Sequence, residues 1–497
     1  MDPPQESVAM RGVGGTGLEL TERPRMIAEG LHDLAAVDVH VARAQKELES
    51  SFLRLATPDG RQAARRSDVL EGPLRVVAVQ STFKTLRELE ASPADAAHRD
   101  ALLRWVHELL QARIAGELTL DEADALHAPD PALGPRAAAR EADLDSPRAV
   151  ATFEEARQML VMAPSLAVAD VAFRRLADLA TPIAAVRREL GARRFEAARR
   201  LGLEHPWALS TSARIGDLEQ LARSVLDATE DLAHELDTRL HRRADGGPTG
   251  PVPSIHDTFG RDAREGWPAH LGVRWLEEVF RALAKRPPRV DTLPPALGAV
   301  SFLRAAATWG AALRYGGIAR SLPFALAHDP YPVEALVLGA SLAHAIAGAP
   351  FARRKLGLAS SSADAHARAL ARPLFVMLRV RAAELLAGLP NGVGRDDLEE
   401  LTTRAFGAPL PPDLATVWSF GGFSGRRRID APARFVAAVR AHVFVRDLVD
   451  RFDEDWFDNP RAGAHLASIS AGPVWTGELP DVSVGAAIAR AFEEKLG

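Results

Sequence analysis

The stretch DLAAVDVHVARAQKELESSFLRLA, from Asp33 to Ala56, decides the fold class. Its apolar residues recur at steps of three and four, which places them on one face of a single helix. These residues are Leu34, Val37, Val41, Ala44, Leu48, Phe52 and Leu55. The same spacing predicts helices over residues 74–90, 99–115, 147–162, 167–179, 183–201, 216–243, 273–285, 298–320, 333–347, 363–386, 395–405 and 431–452. Strand-like alternation is scarce, so the sequence predicts an all-α fold with few or no strands.

Glycine and proline concentrate in one segment near the middle of the chain, GGPTGPVP at residues 246–253. This composition is typical of a linker, and the chain on each side is long enough for a domain. We therefore expect a flexible N-terminal tail over residues 1–30, a helical domain over 31–245, a linker over 246–253 and a second helical domain over 254–497. The two packed domains would face each other across a groove.

Composition limits the classes of partner. The chain has 497 residues, of which 47% are hydrophobic, and a formal net charge of −5 with both signs interspersed. It can bury a large core, and it has no basic field that would attract nucleic acid or an anionic membrane. The longest nearly uncharged run, residues 335–351, is shorter than the roughly 20 residues of a membrane span. Zero cysteines and no visible secretory signal lead us to expect a cytoplasmic protein.

Two segments begin like the helix of a zinc protease, HELLQ at His107 and HELDT at His234. Such a helix needs a second histidine one turn after the first, so that both imidazoles face one ion. Neither segment has it, and we expect no cofactor from these motifs.

Three further groups of residues carry alternative interpretations. His234, Asp237 and His241 share one helical stripe and could hold a metal ion, although a solvated charged face is the more ordinary interpretation. His344, in an apolar helix with small neighbours, is a candidate for acid or base catalysis or for ligand binding. A core histidine bonded to a carbonyl group is the alternative.

The third group lies just after the linker. Arg261 and Arg264 could clamp a carboxylate beside Trp267, as the C-terminus of a peptide would offer. In the alternative interpretation these arginines form ion pairs with Asp257, Asp262 and Glu265, which hold the linker in place.

The segment RRFEAARRLGL at residues 193–203 resembles the helix and turn that precede the catalytic half of thimet-oligopeptidase-like helical zinc peptidases. The resemblance implies two all-helical halves facing a peptide groove over residues 31–470. The sequence departs from the family pattern because its second half contains no His-Glu-x-x-His. The nearest segment, Ser301–Gly310, has neither imidazole nor carboxylate.

The resemblance therefore implies a degenerate member that keeps a peptide or protein partner and has lost hydrolysis. Two alternatives stay open. One is an enzyme, a hydrolase acting on peptides if so, with a metal on His234, Asp237 and His241 or with His344 as acid or base. The other is a structural helical scaffold. The sequence does not predict the oligomeric state.

Overall fold

The computed structural model describes residues 33–54, 74–128, 152–243, 250–259, 275, 278–284, 299–389, 395–419, 430–473 and 479–496. Within these ranges the secondary structure consists of helices and contains no strand, which confirms the predicted all-α class.

The described helices, in chain order, are α1 (Leu34–Arg54), α2 (Leu74–Val77), α3 (Gln80–Glu88), α4 (Pro93–His127), α5 (Phe153–Met162), α6 (Leu166–Asp178), α7 (Ala180–Arg200), α8 (Ile215–Ala228), α9 (Glu230–Arg243), α10 (Val252–Phe259), α11 (Ala299–Gly317), α12 (Phe324–Ala327), α13 (Val333–Ile346), α14 (Ala349–Leu356), α15 (Ser360–Gly388), α16 (Arg395–Phe406), α17 (Pro412–Ser419), α18 (Ala431–Phe452), α19 (Pro460–Ala471) and α20 (Val484–Leu496). Short 3₁₀ helices follow α10 at Arg281–Leu283 and α18 at Trp456–Asp458.

The helix predicted over residues 216–243 is interrupted at Thr229, between α8 and α9. The Thr229 hydroxyl donates to the carbonyl of Val225 at 2.7 Å, and Arg379 of α15 donates to the same hydroxyl at 2.6 Å. A side chain that bonds back to its own helix competes with the regular backbone pattern. The break therefore coincides with a buried contact between the two parts of the chain.

The largest hydrophobic core extends across the predicted domain boundary. Leu221 and Val225 of α8 lie in the same cluster as Phe375 and Leu378 of α15 and Phe492 of α20. Residues 246–249 of the predicted linker lie outside the described residues, and α10 begins at Val252. The division into two domains with a groove between them stays a prediction.

Polar contacts also join the early helices to the segment before α13. The Asp38 carboxylate on α1 accepts hydrogen bonds from the backbone amides of Phe324 and Ala325 at 2.7 and 2.8 Å. Arg104 of α4 forms an ion pair with Asp329 at 2.8 Å. Buried or half-buried charges are stabilised when their hydrogen bonds are satisfied in this way.

Two glycines let α11 and α13 pack backbone against backbone. A Cβ atom built on Gly310 would lie 2.5 Å from the carbonyl oxygen of Leu338, and one built on Gly339 would lie 2.4 Å from that of Ala307. Real Cβ atoms do not approach so closely, so both positions require glycine. The close packing buries α13 along almost its whole length and fixes the position of its last turn.

Among the described helices, none on its own combines the length and the apolar composition of a membrane span. The pair α13 and α14 meets both criteria only when the two are taken together, and they meet at an angle of 71°.

Candidate functional site

A cavity of about 1370 Å³ opens beside the last turn of α13. Its walls come from the junction of α13 with α14, the first half of α15, the second half of α18, the segment before α20, and α20 itself. Two histidines and a lysine stand in these walls, His344, His442 and Lys495. We call this space the imidazole cavity.

The helical spacing explains why polar side chains reach this place. On α18, His442 follows Phe435 and Val439 at steps of four and three, so it continues the stripe that these buried residues form. On α20, Lys495 follows Ile488 and Phe492 at the same steps of four and three. Each polar residue therefore lies at the end of an apolar helix face, on the same side of its helix as the buried apolar residues.

The two imidazoles contact each other. The ring centroids of His344 and His442 are 4.3 Å apart with an interplanar angle of 63°, an edge-to-face arrangement. Phe492 lies under both rings, with centroids 6.3 Å from His344 and 5.0 Å from His442, and packs in turn on Phe375. An aromatic base of this kind holds the pair in place and excludes water from one side.

Burial keeps both imidazoles neutral at neutral pH. It lowers the pKa of His344 well below the usual 6.5, and the neighbouring His442 and Lys495 lower it further. For His442, burial together with Lys495 lowers the pKa to about 3. A neutral imidazole carries one N–H donor and one acceptor nitrogen, so each ring can bond to a polar group of either kind.

The rest of the lining is mixed. Small and branched apolar residues form much of the wall, among them Ala345, Ala347, Val445, Val484, Ala487 and Ile488. Exposed charges of both signs surround the mouth, including Asp364, Asp450, Glu454, Arg368, Arg446 and Arg490. The cavity thus combines apolar contact area with a few polar groups inside, which is the usual composition of a ligand site.

Of the site residues predicted from the sequence, some lie in the described structure and others do not. His344 lies in the cavity wall with 8% of its surface exposed, and its role as acid, base or ligand-binding residue stays a prediction. Arg261, Arg264 and Trp267 lie outside the described residues. The predicted carboxylate clamp therefore stays a prediction.

On α9, His234 is exposed to solvent and Asp237 lies against Gly407. The side chain of His241 lies outside the described residues, so the three-residue metal site stays a prediction as well. In the part of the chain that the structure describes, no three histidine, aspartate or glutamate side chains are arranged to hold a metal ion.

The first zinc-protease-like segment is part of a buried polar network. His107 is fully buried on α4, and its Nδ1 atom lies 3.1 Å from the Tyr331 hydroxyl. Gln111 stands at the place of the missing second histidine, and its amide nitrogen lies 3.4 Å from His107 Nε2. Here the first imidazole of the motif bonds to neighbouring side chains inside the core.

Sequence reasoning missed His442 and Lys495. A signal for both was present, because each continues an apolar stripe at helical spacing. A histidine or lysine at such a position must be paired in the core or face a cavity. Nothing in the sequence shows, however, that α13, α18 and α20 meet.

No family model matches the sequence, and no curated protein matches it. Among solved structures, the chain is similar to the crystal structure of the M32 carboxypeptidase from Deinococcus radiodurans R1. The sequence identity is 13%, the TM-score is 0.45, and the match covers 95% of this chain and 98% of that chain. The family resemblance of residues 193–203 and the loss of hydrolysis that it implies stay predictions.

Proposed function

We propose that this protein binds a peptide segment in the imidazole cavity and does not cleave it. The observation that carries the proposal is the cavity itself, in which two adjoining neutral imidazoles stand in a lining of apolar and charged residues. Its volume of about 1370 Å³ exceeds the roughly 300–1,000 Å³ of ordinary small-molecule sites. A short extended peptide is a ligand of suitable size.

The chemistry of the lining also favours a peptide. A peptide backbone alternates N–H donors and C=O acceptors, and a neutral imidazole can pair with either. The apolar wall residues offer contact area for side chains, while charges of both signs at the mouth fit an ordinary mixed sequence. Binding would therefore depend on His344 and His442 for orientation and on the walls for affinity.

Catalysis by His344 is the weaker alternative. A general base works best when its pKa lies near the operating pH, and the pKa of His344 lies well below 6.5. Its neighbour His442, with a pKa of about 3, is a poor general base as well. These imidazoles are better suited to accept and donate hydrogen bonds than to take up a proton.

The test uses a pool of random decapeptides passed over the immobilised full-length protein, with bound peptides identified by mass spectrometry. Ala486 is exposed on α20 in the cavity wall, and Ala192 is exposed on α7, which contributes no residue to the cavity lining. We expect wild type and Ala192→Trp to retain the same subset of peptides. The variant Ala486→Trp, whose indole obstructs the cavity, should lose that subset.

Three results would contradict the proposal. Retention that survives Ala486→Trp places the peptide site elsewhere. Retained peptides that come back shortened favour the hydrolase alternative. A pool that passes unretained over wild type favours the structural scaffold.

A further inference from the structure

Two imidazole rings in the wall of the imidazole cavity have no hydrogen-bond partner among the described residues. His344 is more than nine-tenths buried, yet neither its ring nor that of His442 makes a hydrogen bond with another described residue. Both rings line the cavity. Buried polar groups are normally paired, so an unpaired couple facing a cavity indicates the place where a polar ligand group binds.

The charged side chains that act on these rings are positively charged. Lys495 and Arg381 act on His344, and Lys495 acts on His442. Arg381 interacts with the charge of Arg434 and with the carboxylates of Glu384 and Asp430, and these two carboxylates form ion pairs with Arg434. Lys495 has no buried carboxylate partner among the described residues.

Lys495 is the cation of the cavity lining that acts on both imidazole rings. Its side chain is half-buried on the apolar face of α20, and burial lowers its pKa. The carboxylate that acts on it, Glu494, is exposed to solvent, where water screens the interaction. The cavity lining also contains six acids, of which all but Asp447 are exposed to solvent: Asp364, Asp447, Asp450, Glu454, Asp481 and Glu494.

We propose that the inner end of the imidazole cavity binds a carboxylate of the ligand, held by the Lys495 ammonium group and the N–H groups of His344 and His442. This inference rests on the proposed function and specifies its ligand. A metal cation is disfavoured in the same place, because the Lys495 charge would repel it. An anion gains a charge-assisted bond and offers acceptors to both imidazoles.

Three small probes test this assignment. N-acetylglutamate amide carries a side-chain carboxylate, N-acetylglutamine amide is its uncharged isostere, and N-acetylglutamine carries a terminal carboxylate instead. Each is titrated into full-length protein containing isotope-labelled histidine. The ring signals of His344 and His442 are followed by NMR and assigned with the variants His344→Gln and His442→Gln.

We expect saturable shifts of both ring signals with at least one carboxylate probe and none with the uncharged amide. The comparison of the two acids shows whether the carboxylate comes from a side chain or from a chain end. In Lys495→Met the affinity should fall by about tenfold or more, whereas Lys495→Arg should keep most of it. The control Lys84→Met, at an exposed lysine on α3, should leave the affinity unchanged.

Equal shifts with the uncharged amide, no shifts with any probe, or full affinity in Lys495→Met would overturn the assignment. If Lys495→Met fails to fold, the comparison of charged and uncharged probes in wild type still decides. A cavity that retains decapeptides without preferring a carboxylate would refute this inference and leave the proposed function standing.

Discussion

The burial of His107 makes the stability of the whole protein depend on pH. It is fully buried on α4 and contacts the Tyr331 hydroxyl, and burial lowers its pKa from 6.5 to about 4. In the unfolded chain the same imidazole takes up a proton near its ordinary pKa. Between these two values the unfolded state binds more protons than the folded state, so acid favours unfolding.

The resulting prediction concerns stability against pH. The contribution of His107 is fully present above pH 6.5 and is lost as the pH falls toward about 4. Between about pH 7 and pH 5 the loss amounts to about 2 kcal/mol of unfolding free energy for this residue. Urea unfolding of wild type and His107→Gln at the two pH values measures it.

The variant His107→Gln should show the smaller pH dependence, because it lacks the titrating group. His40→Gln, at an exposed position on α1, serves as the control and should behave as wild type does. If the unfolding free energy falls equally in wild type and in His107→Gln between pH 7 and pH 5, this explanation of acid sensitivity is refuted.

At the residue scale, only part of the candidate site is predictable from the sequence. His344 was a candidate because an imidazole in an apolar helix is conspicuous. Its partners were not predictable, since His442 lies 98 positions later and Lys495 lies 151 positions later in the chain. Only the packing of three distant helices brings them together.

Among the elements, the close contact of α11 with α13 fixes the position of His344. Gly310 and Gly339 face each other's helix backbone, and a Cβ atom at Gly339 would meet the carbonyl oxygen of Ala307 at 2.4 Å. That oxygen belongs to a helix backbone and cannot turn aside as a side chain does. Any side chain at Gly339 must therefore push the two helices apart.

We expect Gly339→Ala to lower the unfolding free energy by about 2–3 kcal/mol, the cost of overpacking a tight core. The control is Gly316→Ala on the partner helix α11, where a Cβ atom would meet nothing within 4 Å. It should be neutral or stabilising by up to about 1 kcal/mol. Thermal unfolding compares the two variants, and equal midpoints would contradict a backbone contact at Gly339.

The helices were largely predictable because their apolar residues recur with a helical period, as in α1 and α18. The helices that sequence reasoning missed include α14 and α19, which carry Pro350 and Pro460 in their first turns. Proline interrupts a helix in its interior, but its fixed angle suits the first turn, where the amide hydrogen is not needed. The break at Thr229 was also missed, because it depends on a contact with Arg379.

Across the whole molecule, α20 connects parts of the chain that are far apart in sequence. Gly485 packs against Ser224 of α8, and Arg239 of α9 donates to the carbonyl of Leu496 at 3.3 Å. Phe492 packs against Phe375 of α15. The final helix thus covers core residues from both sides of the predicted linker and forms one wall of the imidazole cavity.

Deletion of residues 484–497 should therefore expose apolar surface on α8 and on α15 at once. Limited proteolysis with mass spectrometry should find new early cuts in both helices. The milder variant Phe492→Ala, which removes a fully buried ring, should cost about 3–5 kcal/mol. Cuts confined to one side of the linker would show that α20 does not couple the two sides.

The central claim is that the imidazole cavity is where this protein holds its ligand. The most direct measurement is a crystal structure of the full chain with a decapeptide selected from the random pool. We expect the peptide in the cavity, with a polar atom within about 3 Å of a ring nitrogen of His344 or His442. A peptide bound elsewhere on the molecule, with the cavity filled only by water, would contradict the account.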